Sequence, residues 1–397
     1  MQNVREDGGV MPVIKYAALP TARIEAYNHA IQYKDIAVLD FSTQGHGVYN
    51  FGNLTRLEPL PISKSAFCAH ITEVDIALGN LAKLKNAVQQ LVSQGYKNIY
   101  LMPSSLASVL GFDLSSYAEE CSAEFGVNVF TSQSRLHDDC FVGAQEILYS
   151  LSDFATDSAK DKSGFNLLGG RYTKENRDNH IYIAKVIEEQ LGLQLKFDSL
   201  NAISVSEWNK VSEALINVVT SKSAIKTAEK LKSKFGMPYV YFMPLGKCNE
   251  DNGLCNIAQI VKVDYKSSDD DVYDFATIQF GNILNQTSPK IVCYSDADRL
   301  SGLKELFSKI YDSVQFVCSH SDSDFKYMDI NDFIENYSNK DCLVISYDRV
   351  CKYMKKSVAI EKLGLDYKLL TPTSCVSCGK DGAYSLMEKI VDVLFSE

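Results

Sequence analysis

A chain of 397 residues with 46% hydrophobic and 23% charged side chains carries enough apolar material for two or three globular units, each with its own core. Its net charge of −10, with no clustered basic face, argues against nucleic acid as a main partner, because phosphate binding needs concentrated positive charge. The start lacks a basic segment followed by an apolar one, and no apolar run is long enough to span a bilayer, so the expectation is a cytoplasmic protein without membrane attachment whose eleven cysteines are reduced thiols or metal ligands.

Apolar runs of strand length alternate with amphipathic segments of helix length, the pattern of parallel βαβ units and hence of an α/β fold. In the first unit the pattern predicts a strand over 36–41, a helix over 74–93, a strand over Asn98–Met102, a helix over 117–125 and a strand over 128–130. Residues 153–164, rich in Asp, Ser and Lys, read as a linker. The second unit opens with a strand at 165–168 running into Gly169-Gly170, then a helix over 176–191, strand Gln194–Asp198, helix 205–211, strand 214–219, helix 224–235 and strand 239–243. Lys222, Lys226, Lys230, Lys232 and Lys234 have the spacing of a wet helix face, Gly236-Met237-Pro238 stops that helix, and the acidic run 267–271 reads as a solvated loop. The third unit begins with a strand at 290–294 and continues through helix 300–311, strand Val314–Cys318, helix Ile330–Tyr337, strand 342–346, helix 347–355, strand 367–370 and helix 384–395. Three Rossmann-like domains with parallel sheets follow, over 1–155, 164–287 and 288–397.

Several side chains have the chemistry of a site. Cys375-x2-Cys378 has the spacing that lets two thiolates face one tetrahedral ion, and Cys248 and Cys255 flank 249–254 after a strand end, so the four could share a metal between domains. Cys68 is a candidate thiolate ligand, Cys140 a buried structural thiol, and Asp296 and Asp298 are either proton donors or helix caps. Gly169 and Gly170, with the helix N-terminus that follows, are a candidate cofactor-binding turn for phosphate. No Gly-x4-Gly-Lys-Ser/Thr loop occurs, so nucleotide hydrolysis belongs to another protein.

Glu73-x-Asp75-x3-Gly79-x3-Lys83-Leu84, followed by a helix, the strand Asn98–Met102 and Gly111-Phe112-Asp113, resembles the first domain of nitrogenase component 1 subunits and their relatives in chlorophyll synthesis. The resemblance continues through Asn166-Leu167-Leu168-Gly169, Glu189-x-Leu191-Gly192-Leu193, Phe235-Gly236-Met237-Pro238-Tyr239 and Gly379-x-Asp381-Gly382. Tyr16-Ala17-Ala18-Leu19-Pro20 is similar to the opening of the B subunit of dark-operative protochlorophyllide reductase, which replaces one cluster cysteine by aspartate; His46 stands at that position here. The other positions of the family's cluster thiolates hold Ile14-Lys15-Tyr16-Ala17 and Ser105, while its cofactor-ligating cysteine and histidine fall near Thr220 and Leu369.

The resemblance implies a nitrogenase-like oxidoreductase subunit that pairs with a homologous component 1 subunit as a homo- or heterodimer. It would receive electrons from a separate ATP-dependent iron–sulfur reductase and reduce a small or tetrapyrrole-like molecule in the cleft among its domains. An iron–sulfur cluster shared with the partner would draw on His46 or Cys68, since imidazole also ligates iron in such centres. Loss of the cluster cysteines points instead to a non-catalytic paralogue, a scaffold or cofactor carrier. A Rossmann-type nucleotide-sugar binding protein would explain the glycine turn but not the ordered motifs.

Overall fold

The computed structural model describes residues 16, 19–43, 65–72, 74–75, 78, 82–103, 112–132, 138–161, 163–267, 269–361 and 376–396. The motif residues Glu73, Gly79 and Gly111, together with His46, Ser105, Leu369 and Cys375, lie outside them. Among the described residues no helix is long and apolar enough to cross a membrane.

Three wholly parallel sheets organise the chain. The first follows helix α1 (Ala22–Ile31) and contains β1 (Ile36–Asp40), β2 (Ala66–Cys68), β3 (Asn98–Met102) and β4 (Asn128–Thr131) in the order β2-β1-β3-β4, with α2 (Ala82–Ser93) and α3 (Leu114–Phe125) as crossovers. Helix α4 (Cys140–Leu151) then returns across α1. The two helices pack so closely that a Cβ on Gly143 would meet the Ala22 carbonyl oxygen at 2.2 Å, which leaves room for glycine alone.

The second sheet, β6-β5-β7-β8, is built from β5 (Gly164–Leu168), α5 (Lys174–Leu191), β6 (Gln194–Asp198), β7 (Ile216–Val219), α6 (Ile225–Phe235) and β8 (Tyr239–Tyr241). Its central strands β5 and β7 are buried on both faces, as parallel strands covered by crossover helices must be. After α7 (Lys247–Val261) and α8 (Asp271–Thr287) the third sheet runs β11-β10-β9-β12-β13, from β9 (Ile291–Ser295), α9 (Ala297–Ser308), β10 (Val314–Cys318), β11 (Lys326–Tyr327), α10 (Ile330–Tyr337), β12 (Leu343–Tyr347), α11 (Asp348–Cys351) and β13 (Lys356–Glu361). Helix α12 (Gly379–Phe395) closes the described chain.

The described residues 267, 269 and 270 do form the expected loop, which ends where Asp270 caps α8, accepting from Tyr273 N at 3.1 Å; carboxylates at a helix start complement its dipole. Several sequence expectations need correction. The helix expected over 347–355 is the single turn α11, because Lys356 already enters edge strand β13. Residues 205–213 form a tighter 3₁₀ helix, and the final helix starts five residues before the expected position, at Gly379. Cys248 and Cys255 do not flank a loop; both lie on α7. The lysines of 222–234 are not a uniformly wet face either. Lys230 Nζ donates to Tyr149 O at 2.9 Å and Lys234 Nζ to Ala155 O at 2.6 Å, tying α6 to the end of the first unit.

Candidate functional site

Parallel sheets collect loops and helix starts at the carboxyl ends of their strands, where ligands bind. Here those ends meet in two polar centres. The first lies after β5. Gly169 and Gly170 take φ of 121° and 86°, and a Cβ on Gly169 would come within 2.9 Å of Ser221 N, so the turn is pressed against the backbone beyond β7. The Gly169 amide is already accepted by Ser199 Oγ at 3.1 Å. The turn delivers Arg171 into the interior, 5% exposed. Its Nη1 lies 2.9 Å from Glu361 Oε1 at the end of β13, and its Nε is 3.6 Å from Glu25 Oε2 on α1. Glu25 is 1% exposed and also accepts from Tyr172 N at 2.5 Å. One guanidinium thus joins all three units. Burial pushes the Glu361 carboxyl up while Arg171 pulls it down. His29, one turn along α1, is buried with Nε2 3.5 Å from Glu25, and desolvation holds its imidazole below the usual histidine range.

Arg299 repeats the arrangement beside it: Nη2 lies 2.6 Å from Glu175 Oε1 on α5, and Nη1 donates to Ser377 O at 3.3 Å. Asp296 caps α9 through Arg299 N at 2.9 Å. Asp298 is buried and accepts from Ser221 Oγ, Lys222 N and Tyr241 Oη at 2.7, 2.9 and 2.8 Å; burial first, and then Asp296, raise its carboxyl above the normal range. Thr220, where the resemblance places a cofactor cysteine, meets His180 Nε2 at 2.7 Å, and His180 Nδ1 meets Asp198 at 2.6 Å.

The second centre is a cavity of about 350 Å³ lined by all three units. The first unit supplies Asp138, Asp139 and Phe141 at the start of α4, the second supplies Lys222 and Ser223 beyond β7, and the third supplies His320 and Asp322 beyond β10. Asp139 caps α4, accepting from Phe141 N at 2.9 Å. Lys222 Nζ spans Asp322 and Asp324, each at 2.9 Å. The His320 ring stacks on Phe141 with centroids 4.2 Å apart. Among the described residues the lining therefore offers carboxylates, one ammonium, one imidazole and an aromatic face, and no thiolate.

The candidate ligands are dispersed. Cys68 ends β2 half-buried, its Sγ 3.5 Å from Ser42 O. Cys378 is fully buried ahead of α12, with Sγ 3.9 Å from Asn179 O, and burial pushes its thiol up; burial does the same to Cys140 inside α4. Cys248 is half-buried and Cys255 exposed. Among the described residues no group of three His, Cys, Asp or Glu side chains could hold a metal ion. The donor set of the described residues does not fit an iron–sulfur cluster. From the opening motif, Asp75 accepts from Lys83 Nζ at 2.6 Å and from Thr72 N at 2.8 Å, which lowers its carboxyl to about 2 and closes the turn before α2. The residues that sequence reasoning missed are Glu25, His29, Arg171, His180, Lys222 as a pocket residue, His320 and Glu361. Their partners lie far away in the chain, and no local spacing marks them.

Comparison with known proteins bears on this geometry. The model of nitrogenase component 1 type oxidoreductases matches residues 26–324. The nitrogenase iron-molybdenum cofactor biosynthesis protein NifE of Clostridium pasteurianum is 24% identical over 211 residues, a match that covers 50% of this chain and 44% of the relative's length. Among solved structures, one described as nitrogenase Cp1 at pH 6.5 superposes with a TM-score of 0.74 at 14% identity, covering 97% of this chain and 94% of that one. A second, nitrogenase Cp1 at pH 5, gives 0.61 at 14% identity, covering 98% and 92%. At such identities the likeness is one of fold.

Proposed function

Because the chain belongs to the nitrogenase component 1 type oxidoreductase family, we propose that it is a component 1-like subunit that holds a polar cargo in its three-unit cleft, as a scaffold or cofactor carrier paired with a homologous subunit. The observation that carries this reading is the cavity of about 350 Å³ whose described lining brings carboxylates, Lys222 and His320 from three units around one space, an arrangement suited to holding a polar molecule. The likeness to a cofactor biosynthesis protein over half of the chain supports the same direction. Lys222 would pair with an anionic group of the cargo in exchange for Asp322 or Asp324, the His320–Phe141 stack would cover a flat one, and Asp138 and Asp139 would orient hydroxyl or amine donors. Domains 1–155, 164–287 and 288–397 and a cytoplasmic setting belong to this proposal.

The test is anaerobic purification of the chain coexpressed with a homologous component 1 subunit, followed by metal, sulfide and small-molecule analysis of the native complex and of its Lys222→Glu variant. The expected result is a bound molecule that is depleted in the variant and is not turned over when the ATP-dependent iron–sulfur reductase is added. Reductase-dependent turnover would replace the carrier reading with a second one, a reductase whose cluster is shared with the partner. Cys68, half-buried at a strand end of the first unit, and His46 are its candidate ligands.

A further inference from the structure

Helix α8 presents an unusual surface. Its 17 residues carry only two charges, Asp271 and Asp274, both in the first turn, in a chain that is 23% charged overall. One face packs inward through Tyr273, Phe280 and Leu284, with the Phe280 ring against Phe307 of α9. The helical repeat sets on the opposite face the row Asp271, Phe275, Ile278, Asn282 and Asn285, separated by steps of four, three, four and three, the spacing of a helix that pairs with another helix. Phe275 and Ile278 are 65% and 61% exposed, and Val272 beside them 73%. A solvated helix face normally carries lysines and glutamates, whereas an exposed apolar face without charge matches the centre of a protein interface. Ile278 also edges an open cavity of about 530 Å³ whose lining includes Leu245, Leu306 and Ile310, which widens the apolar surface on that side.

We propose that this face binds a second copy of the chain, α8 lying antiparallel on α8 about a twofold axis. The order of residues along the row selects the occupant. In a twofold pair each residue meets the one at the mirrored place in the other copy. With the axis between residues 276 and 277, Phe275 meets Ile278 of the other copy, Ile278 meets its Phe275, and Asp271 meets its Asn282, whose side-chain amide donates to a carboxylate. Moving the axis toward the start of the helix sets Asp271 on Phe275, and moving it toward the end sets Phe275 and Ile278 on asparagines; both leave polar groups facing apolar ones. A parallel pair would set Asp271 on Asp271, where like charges repel. The antiparallel register alone matches apolar with apolar and acid with amide, and two identical faces can make it. The net charge of −10 acts in the same direction, since two copies repel over most of their surfaces and least where a helix carries no charge. Asp274 stands to the side of the row, with Lys247 Nζ 3.8 Å away. A row one helix long is a small interface, so the dimer is reversible and its fraction rises with concentration. Neither the cleft nor its cargo takes part in this pairing, which stands apart from the carrier reading.

The test is sedimentation velocity of the full chain between about 1 and 200 μM, where a monomer–dimer equilibrium is expected. Phe275→Glu and Ile278→Lys each put a charge into the middle of the row and should raise the dissociation constant about thirtyfold or more. Asn282→Lys gives Asp271 of the other copy an ammonium and should lower the constant about threefold, while Asn282→Asp faces it with a like charge and should raise it about threefold. Ile181, 60% exposed on α5, is the control, and Ile181→Glu and Ile181→Lys should leave the constant unchanged. All of these side chains are exposed, and unchanged circular dichroism shows that the variants fold. A chain that stays monomeric over the whole range would overturn the proposal, as would a dimer that withstands Phe275→Glu. Asn282 substitutions that act in the same direction would overturn the antiparallel pairing. If Phe275→Glu disrupts only a complex with a coexpressed homologous subunit, the face belongs to that subunit and the second copy is ruled out.

Discussion

Around Arg171 the charges of three units meet in a buried interior, whereas around Lys222 charges from the same three units line an open cavity. Arg171, Glu25 and Glu361 are each at most 5% exposed and find their partners within the protein. In that setting a charge is tolerable only while it is paired, so the arginine fixes how the units sit on one another. Lys222 is partly exposed, and its two carboxylates are exchangeable. The contrast teaches that a charged cleft between domains has two uses, and that burial decides which one a residue serves. Charges withdrawn from water specify assembly, and charges left at a wet wall remain available to a ligand.

The comparison breaks most visibly at Arg171. Arg171→Met leaves two buried carboxylates without a cation and should lower unfolding stability by about 3–5 kcal/mol, measured by denaturant titration. Adding Glu361→Leu to that variant should restore part of the loss, because an apolar pair has no uncompensated charge. Full additivity of the two losses would show that the carboxylate and the guanidinium do not act as a unit.

Acid should sharpen the contrast next. Burial holds His29 below the usual histidine value of 6.5, so the unfolded chain takes up this proton before the folded one does. Its contribution is therefore intact above that pH and declines as pH falls below it, by up to about 1.4 kcal/mol per pH unit for one proton. Asp198 adds to the loss further down. Burial would raise it, but His180, Asn201 and the Leu200 amide together hold it below the carboxylate range. In thermal melts from pH 7.5 to 5, His29→Leu should flatten the first part of the decline; an unchanged slope would remove His29 from the account.

At the open wall the expected changes are smaller. Lys222→Ala should cost less than about 1 kcal/mol, since partly exposed ion pairs contribute little, while abolishing retention of cargo by the coexpressed complex. Lys85, whose Nζ contacts Glu124 on the surface of the first unit, marks the bottom of the scale. Lys85→Ala should leave the melting temperature and cargo retention unchanged.

How much of this the sequence disclosed depended on how local the signal was. Strands Gln194–Asp198 and Val314–Cys318 and helix Ile330–Tyr337 fall where their periodicity sets them, because their apolar residues recur at strand or helix spacing. Helix α1 escaped notice because its buried face carries Glu25 and His29 among alanines, which blurs the apolar stripe. The Gly169-Gly170 turn was visible, but its purpose was not: the glycines permit a close backbone approach, and the residue that follows them makes the long-range bonds. Cysteines drew attention by type, while the cavity is lined by residues that look like ordinary caps and surface charges until three strand ends bring them together.

The boundary between the first two units has a consequence for synthesis. Their facing surfaces share one apolar core, in which Tyr33, Ile36, Tyr100 and Leu148 from the first unit pack with Trp208, Val211, Leu231 and Met237 from the second. Trp208, the sole tryptophan, donates its indole N–H to Tyr33 Oη at 3.1 Å across the seam. A nascent chain that has released only its first third from the ribosome holds half of that core without the other half, and such surfaces recruit chaperones. Completion must wait until residues near Met237 emerge, so the order of translation makes the second unit the lid that finishes the first. The indole at the seam would report that moment as a change in intrinsic fluorescence.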